Sequence, residues 1–130
     1  MKLLKQTFQT INAPNPSGPY SQCVKSGDFI FVSGQDGVHP DGELVGETIS
    51  EQTAACLKNI GNILEEAGAT IADIVHMTCH LAELNQETVK EFNTVYEDFF
   101  KDIAEKPARI TVGSQLLAVK VEISAIACRR

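Results

Sequence analysis

The stretches TISEQTAACLKNIGNILEEAG, residues 48–68, and IADIVHMTCHL, residues 71–81, decide the fold class, because the first reads as a helix and the second as a strand. Thr48 with Glu51 three residues on forms a capping box, in which each side chain satisfies the other residue's free backbone amide. Beyond it Ile49, Thr53, Cys56, Leu57, Ile60, Leu64 and Ala67 recur at helical spacing, and Gly68 supplies the stop. Ile71 to Leu81 then reads as a strand, since Ile74-Val75-His76-Met77-Thr78-Cys79-His80-Leu81 is rich in β-forming residues and follows a short connector.

Working outward toward the C-terminus, Asn85 caps a second helix. Its stripe is Val89, Phe92, Tyr96, Phe99, Phe100 and Ile103, and Pro107 forbids continuation. Arg109 to Val112 reads as a short strand. The last segment, Val119 to Ala127, alternates: Val119, Val121, Ile123 and Ala125 point one way, and Lys120, Glu122 and Ser124 the other. Toward the N-terminus, Leu3 to Phe8, Gln22 to Lys25 and Phe29 to Ser33 are strand-like. Between the first two, Asn12-Ala13-Pro14-Asn15-Pro16-Ser17-Gly18-Pro19 must be an ordered loop, and His39-Pro40-Asp41-Gly42 reads as a turn.

The order strands, helix, strand, helix, strands gives an α+β fold, with both helices on one face of a single mixed six-stranded sheet. Two helices cannot cover both faces of such a sheet. The other face is therefore solvated or buried against another subunit, and an oligomer is the natural expectation.

With 130 residues, 43% of them apolar and 22% charged, the chain fits one globular domain over residues 1–130. A chain this long buries roughly two-thirds of its unfolded surface, so its core needs no disulfide or metal staple. Seventeen carboxylates against 11 Lys and Arg leave a formal net charge of −6, which repels polyphosphate. Cys23, Cys56, Cys79 and Cys128 stand far apart with no CxxC pair, as expected of reduced thiols. The opening Met1-Lys2-Leu3-Leu4-Lys5-Gln6 turns polar too soon for a signal peptide, and no apolar run approaches the ~18 residues of a membrane span. The expected location is cytoplasmic, with a cleaved organellar extension left open.

The chain holds no GxSxG elbow, no GxxxxGK loop and no GxGxxG turn, so serine hydrolase, P-loop and dinucleotide-binding readings lack their parts. On a strand, His76 and His80 share a face with Thr78 between them while Cys79 points away. His-x-x-x-His suits a helix-borne zinc pair, but the zincin glutamate after the first His is absent and the segment is extended. Ordinary strand histidines, with no metal, are the reading adopted. Arg109, at the opening of a strand, can offer a two-pronged site to a carboxylate, or be a plain solvated strand end. Glu122 can hold a water or take its proton, or pair with Lys120 or a neighbour across the sheet. Tyr20 can present its hydroxyl to a cleft or pack at a strand start. Spacing alone leaves each of these pairs open.

Taken together, the fragments line up. Asn12-Ala13-Pro14 with Gly18-Pro19-Tyr20-Ser21-Gln22, then Phe31-Val32-Ser33-Gly34-Gln35, resemble the opening signature of the RidA/YjgF family, also labelled endoribonuclease L-PSP. Gly42 to Gly46, Glu51-Gln52-Thr53, Ala67-Gly68-Ala69, Asn93 to Phe100, Pro107-Ala108-Arg109 and Glu122 to Ala127 resemble its later blocks, so the resemblance covers nearly the whole chain.

The resemblance implies a chorismate-mutase-like fold assembled as a homotrimer, with clefts between subunits. It also implies a metal-independent 2-iminobutanoate/2-iminopropanoate deaminase without cofactor, hydrolysing reactive enamines and imines such as 2-aminoacrylate to 2-oxo acids and ammonia. Arg109 matches the arginine that grips the substrate carboxylate, and Glu122 the glutamate beside the attacking water. Tyr20 matches the cleft tyrosine, Ser33 and Gly34 the Ser-Gly wall, and Asn93 the asparagine of the second helix. Thr111 stands where many members have cysteine, leaving a hydroxyl at a substrate-binding position. The stretches Gly113 to Val119 and Gln35 to Gly42 are shorter than is usual in the family. Two rival readings carry over: an endoribonuclease or translation inhibitor, which lacks a basic stripe here, and a non-catalytic, chaperone-like trimer that only binds small 2-oxo acids.

Overall fold

The Thr48 capping box forms as the sequence requires, and the helix it starts organises the core. In the computed structural model, which describes residues 4–130, helix α1 (Ile49–Glu66) opens with the Glu51 amide donating to Thr48 Oγ1 at 3.0 Å and the Thr48 amide to Glu51 Oε1 at 3.3 Å. Ile49, Thr53, Cys56, Leu57, Ile60 and Leu64 are buried as the spacing demanded. The helix closes in a Schellman motif: the Ala69 amide reaches Leu64 O at 2.8 Å and the Gly68 amide reaches Glu65 O at 3.0 Å. Gly68 takes φ +82°, a conformation only glycine adopts without strain.

The segment expected as one strand from Ile71 divides. Thr70 and Asp73 build a second capping box over a 3-10 turn, Ile71–Asp73, and the strand β4 (Ile74–Leu81) follows. Here local side-chain bonds to the backbone outcompete the β preference of Ile71. Helix α2 (Gln86–Phe99) starts at Asn85, whose Oδ1 accepts from the Thr88 amide at 2.9 Å. It ends four residues before Ile103, which packs against the core from the following turn.

The other strands are β1 (Gln6–Phe8), β2 (Cys23–Ser26), β3 (Phe29–Asp36), β5 (Ala108–Gly113) and β6 (Val121–Cys128). The expected strand Leu3 to Phe8 begins at a residue outside the described ones, as does the Met1 opening. Gln22 is not in β2. Its side chain accepts from the Thr10 amide at 2.7 Å and donates to Thr10 O and Pro14 O, pinning the proline-rich loop. Val119 and Lys120 precede β6 because the Lys120 amide is held by Gln52 Oε1 at 2.8 Å and its carbonyl by the Ala82 amide.

The strands form one six-stranded sheet in the order β1-β2-β3-β6-β4-β5, in which β4 and β5 run parallel and every other pair antiparallel. One face presents Cys23, Ile30, Val32, Met77, Cys79, Leu81, Val121, Ile123, Ala125 and Ala127, all buried beneath the two helices. The opposite face carries no helix. Phe29, Phe31 and Ile110 lie on it at 48%, 45% and 51% exposure, beside His76, Thr78 and His80. Cys23, Cys56 and Cys79 are buried free thiols and Cys128 an exposed one. Among the described residues no helix is long and apolar enough to cross a membrane.

Candidate functional site

Between β3 and β6 the register slips: Val32 pairs with Ala125, but Gln35 pairs with Ile123, so Ser33 and Gly34 form a bulge. One extra residue inverts the alternation beyond it. Gln35, which strict alternation from Phe31 would point outward, is buried at 5%, while Asp36 comes out on the open face opposite Glu122. Ser33 is fixed in the bulge by its amide to Gln22 O at 3.0 Å and its hydroxyl to Ser21 O at 2.6 Å.

The Glu122 carboxylate lies over Gly34. A Cβ at residue 34 would sit 2.6 Å from Glu122 Oε2, so the missing side chain makes room for that oxygen. Tyr20 borders the same space, its hydroxyl accepting from the Ser17 amide at 3.1 Å. On the other side stands His80, the cross-strand neighbour of Glu122, with Nδ1 at 2.7 Å from Ser114 Oγ. These groups line a cleft of about 650 Å³ in which no lysine or arginine takes part among the described residues. Burial, then the hydrogen bond and charge of Glu122, push the Asp36 carboxyl up to about 7.

Arg109 is elsewhere. On β5 it pairs with Met77, a helix-face residue, and its guanidinium carbon stacks 4.7 Å from the Tyr96 ring centre and 5.4 Å from that of Phe92. Around it Asn93 Oδ1, Thr111 Oγ1 and the Tyr96 hydroxyl are buried without hydrogen-bond partners. Burial pushes that hydroxyl up to about 12, opposed by Arg109. Among the described residues no carboxylate pairs with Arg109.

The residues singled out by sequence therefore fall into two groups. Tyr20, Ser33, Gly34 and Glu122 come together on the open face; Arg109, Thr111 and Asn93 come together on the helix face at the β5 edge. Since Arg109 and Glu122 project from opposite faces, a single chain does not bring them into one site. Sequence reasoning missed Asp36, the Ser114 partner of His80, and the aromatic cradle of Arg109. Asp36 had no signal in the sequence, since the bulge that exposes it shows only in the β6 register, whereas the Phe92–Tyr96 spacing could have flagged the cradle.

The chain matches the family profile described as Endoribonuclease L-PSP over residues 10–129. It is 44% identical over 128 residues to a RutC family protein of Pyrococcus abyssi, covering 96% of this chain and 98% of that protein. A human protein named 2-iminobutanoate/2-iminopropanoate deaminase is 36% identical over 129 residues, covering 96% and 90%. Among solved structures, E. coli TdcF with bound serine superposes with a TM-score of 0.89 at 36% identity, covering 96% of this chain and 99% of that one.

Proposed function

The chain belongs to the endoribonuclease L-PSP family, which takes in Rid and RutC proteins, and from that premise we propose that it hydrolyses small 2-imino acids of the 2-iminobutanoate and 2-iminopropanoate type to 2-oxo acids and ammonia. The observation that carries this reading is the complementarity of the two groups. Among the described residues, one is a guanidinium with unpartnered polar atoms and no anion, and the other an acidic cleft with no cation from the same chain. Around a threefold axis, the helix-face edge of one copy meets the open-face cleft of the next, and each pair of neighbours completes one site. The apolar open face supplies the surface that such contacts bury.

An imine carbon is already electrophilic, so its hydrolysis calls for positioning and proton transfer rather than a strong nucleophile. Arg109 grips the substrate carboxylate with a two-pronged, charge-assisted contact. Water, held by Glu122, adds to the imine carbon while its proton passes to the Glu122 carboxylate and the C=N electron pair moves to nitrogen. Return of that proton to nitrogen gives the carbinolamine; its hydroxyl proton then passes by way of Glu122 to the amine as the C=O bond forms and the C–N bond breaks, releasing ammonia and leaving the 2-oxo acid. The endoribonuclease label finds little support in a chain of net charge −6 whose cleft has no basic lining.

The test is the decay of the imine formed from serine by a pyridoxal-phosphate lyase. Wild type accelerates the decay, and Arg109→Ala and Glu122→Gln each lose about a hundredfold or more. Co-refolding those two inactive variants in equal amounts regenerates about one quarter of wild-type activity, because a quarter of neighbour pairs then combine an intact arginine with an intact glutamate. Full turnover by Arg109→Ala sinks the anchor assignment. Folded wild type without activity turns the chain into a binding module.

A further inference from the structure

Asp36 closes β3 directly opposite Glu122 on β6, and the bulge at Ser33-Gly34 turns it onto the open-face cleft, where the regular alternation of β6 already places Glu122. Its Oδ1 is buried and has no hydrogen-bond partner among the described residues. A desolvated carboxylate oxygen in that position is costly, and two adjacent carboxyls do not both ionise readily. A single proton shared between them satisfies both conditions, with one acid as donor and the other as acceptor. Within one chain no lysine or arginine lines the cleft among the described residues, and in the assembled site the guanidinium brought by the neighbouring copy, Arg109, is turned to the substrate carboxylate.

Resting on the imine-hydrolysis reading above, we propose that Asp36 is a positioning residue for that reaction: its protonated carboxyl donates to Glu122, aims the other Glu122 oxygen at the attacking water, and keeps the cleft at a single negative charge. The remaining titratable groups of the same chain around the pair are His80 from β4, Tyr20 from the proline-rich loop and Cys56 from α1, and the assembled site adds the Arg109 guanidinium of the neighbouring copy. The Cys56 thiol is pushed up by burial and then by both carboxylates, which places it within their electrostatic reach. Since Asp36 titrates at about 7, it gives up its proton just above neutrality. Glu122 then loses its donor, and two negative charges face a substrate that carries a carboxylate of its own. Activity falls on the alkaline side for two separable reasons: kcat through the orientation of Glu122, and KM through repulsion.

The experiment is the pH profile of imine decay for wild type, Asp36→Asn and Asp36→Leu, joined to infrared difference spectra of wild type against Asp36→Asn. Wild-type kcat/KM falls above the midpoint, by no more than about tenfold per pH unit as loss of one proton allows, and levels off once the orientation and repulsion losses are complete. Asp36→Asn keeps an N–H donor but cannot titrate, so its profile stays flat through neutrality. Asp36→Leu has no donor, and its kcat is lowered about tenfold throughout with little change in KM. If Asp36→Leu does not fold, Asp36→Asn decides alone. The spectra should show a protonated-carboxyl band that titrates near the same midpoint and moves to lower pH in Glu122→Gln. Superimposable profiles for wild type and Asp36→Asn overturn the proposal, as does activity without such a band. A titrating band in a wild type that hydrolyses no imine at any pH overturns the deaminase reading, and the positioning role with it, while leaving the shared proton standing.

Discussion

Asp36 reaches the cleft because Ser33 and Gly34 add one residue to β3, and its setting has a cost that depends on pH. The carboxyl titrates at about 7 in the folded chain against an ordinary 3.8, so between those values the native state binds a proton that the unfolded state has released. A group raised in this way contributes its full stability below its unfolded pKa and loses that contribution as pH climbs through the folded one. Asp36→Asn, neutral throughout, should therefore gain in Tm over wild type progressively from about pH 4 to about pH 7 and hold that gain above. With the group only half-buried, solvent screens the shift and the plateau is on the order of 1 kcal/mol, or about 2–5 °C. Thermal melts across pH measure it; a difference independent of pH contradicts the raised carboxyl.

At the level of the element, three capping boxes punctuate the middle of the chain: Thr48 with Glu51, Thr70 with Asp73, and Asn85 with Thr88. Thr48→Ala leaves the first amides of α1 unsatisfied and should cost about 1 kcal/mol, seen as a Tm lower by about 2–5 °C with imine hydrolysis retained. An unchanged Tm would show that packing of the Ile60 and Leu64 face alone holds the helix start. These boxes and the period of the apolar residues made both helices legible in the sequence, as the alternation of Val121 to Ala127 did for β6. The 3-10 turn at Ile71–Asp73 was legible in principle, since Thr70-x-x-Asp73 is a capping pattern, but the β-rich run after it masked it. The bulge was not legible, because Val32-Ser33-Gly34-Gln35 reads equally as regular strand until the β6 register is known. For that reason Glu122 and Gly34 were found from sequence and Asp36 was not. Nor does the order of residues say that Arg109 and Glu122 leave the sheet on opposite faces, which depends on the pairing of β5 with Met77 and of β6 with His80.

For the molecule as a whole, the uncovered sheet face is the feature on which the proposed assembly rests. Phe29, Phe31 and Ile110 remain about half exposed there, more apolar surface than a strand face turned to water ordinarily carries. Phe31→Glu places a charge in that patch while leaving the helix-face core untouched. If the proposed trimer forms through this face, Phe31→Glu should lower the mass seen by light scattering from three chains to one and abolish imine hydrolysis, with the circular dichroism of the folded chain preserved. A full-sized, active Phe31→Glu assembly would remove this face from the contact between copies. The bulge, finally, bears on how such a chain tolerates inheritance of change. A point substitution in β3 exchanges one side chain, and loss of a single residue between Val32 and Gln35 would close the bulge while leaving Gln35 opposite Ile123 and Asp36 opposite Glu122. The faces would survive and the wall of the cleft would not: with Ser33 would go the hydroxyl held by Ser21 O, and with Gly34 the space that the Glu122 oxygen occupies, so at this place in the gene a lost codon is felt in the site rather than in the core.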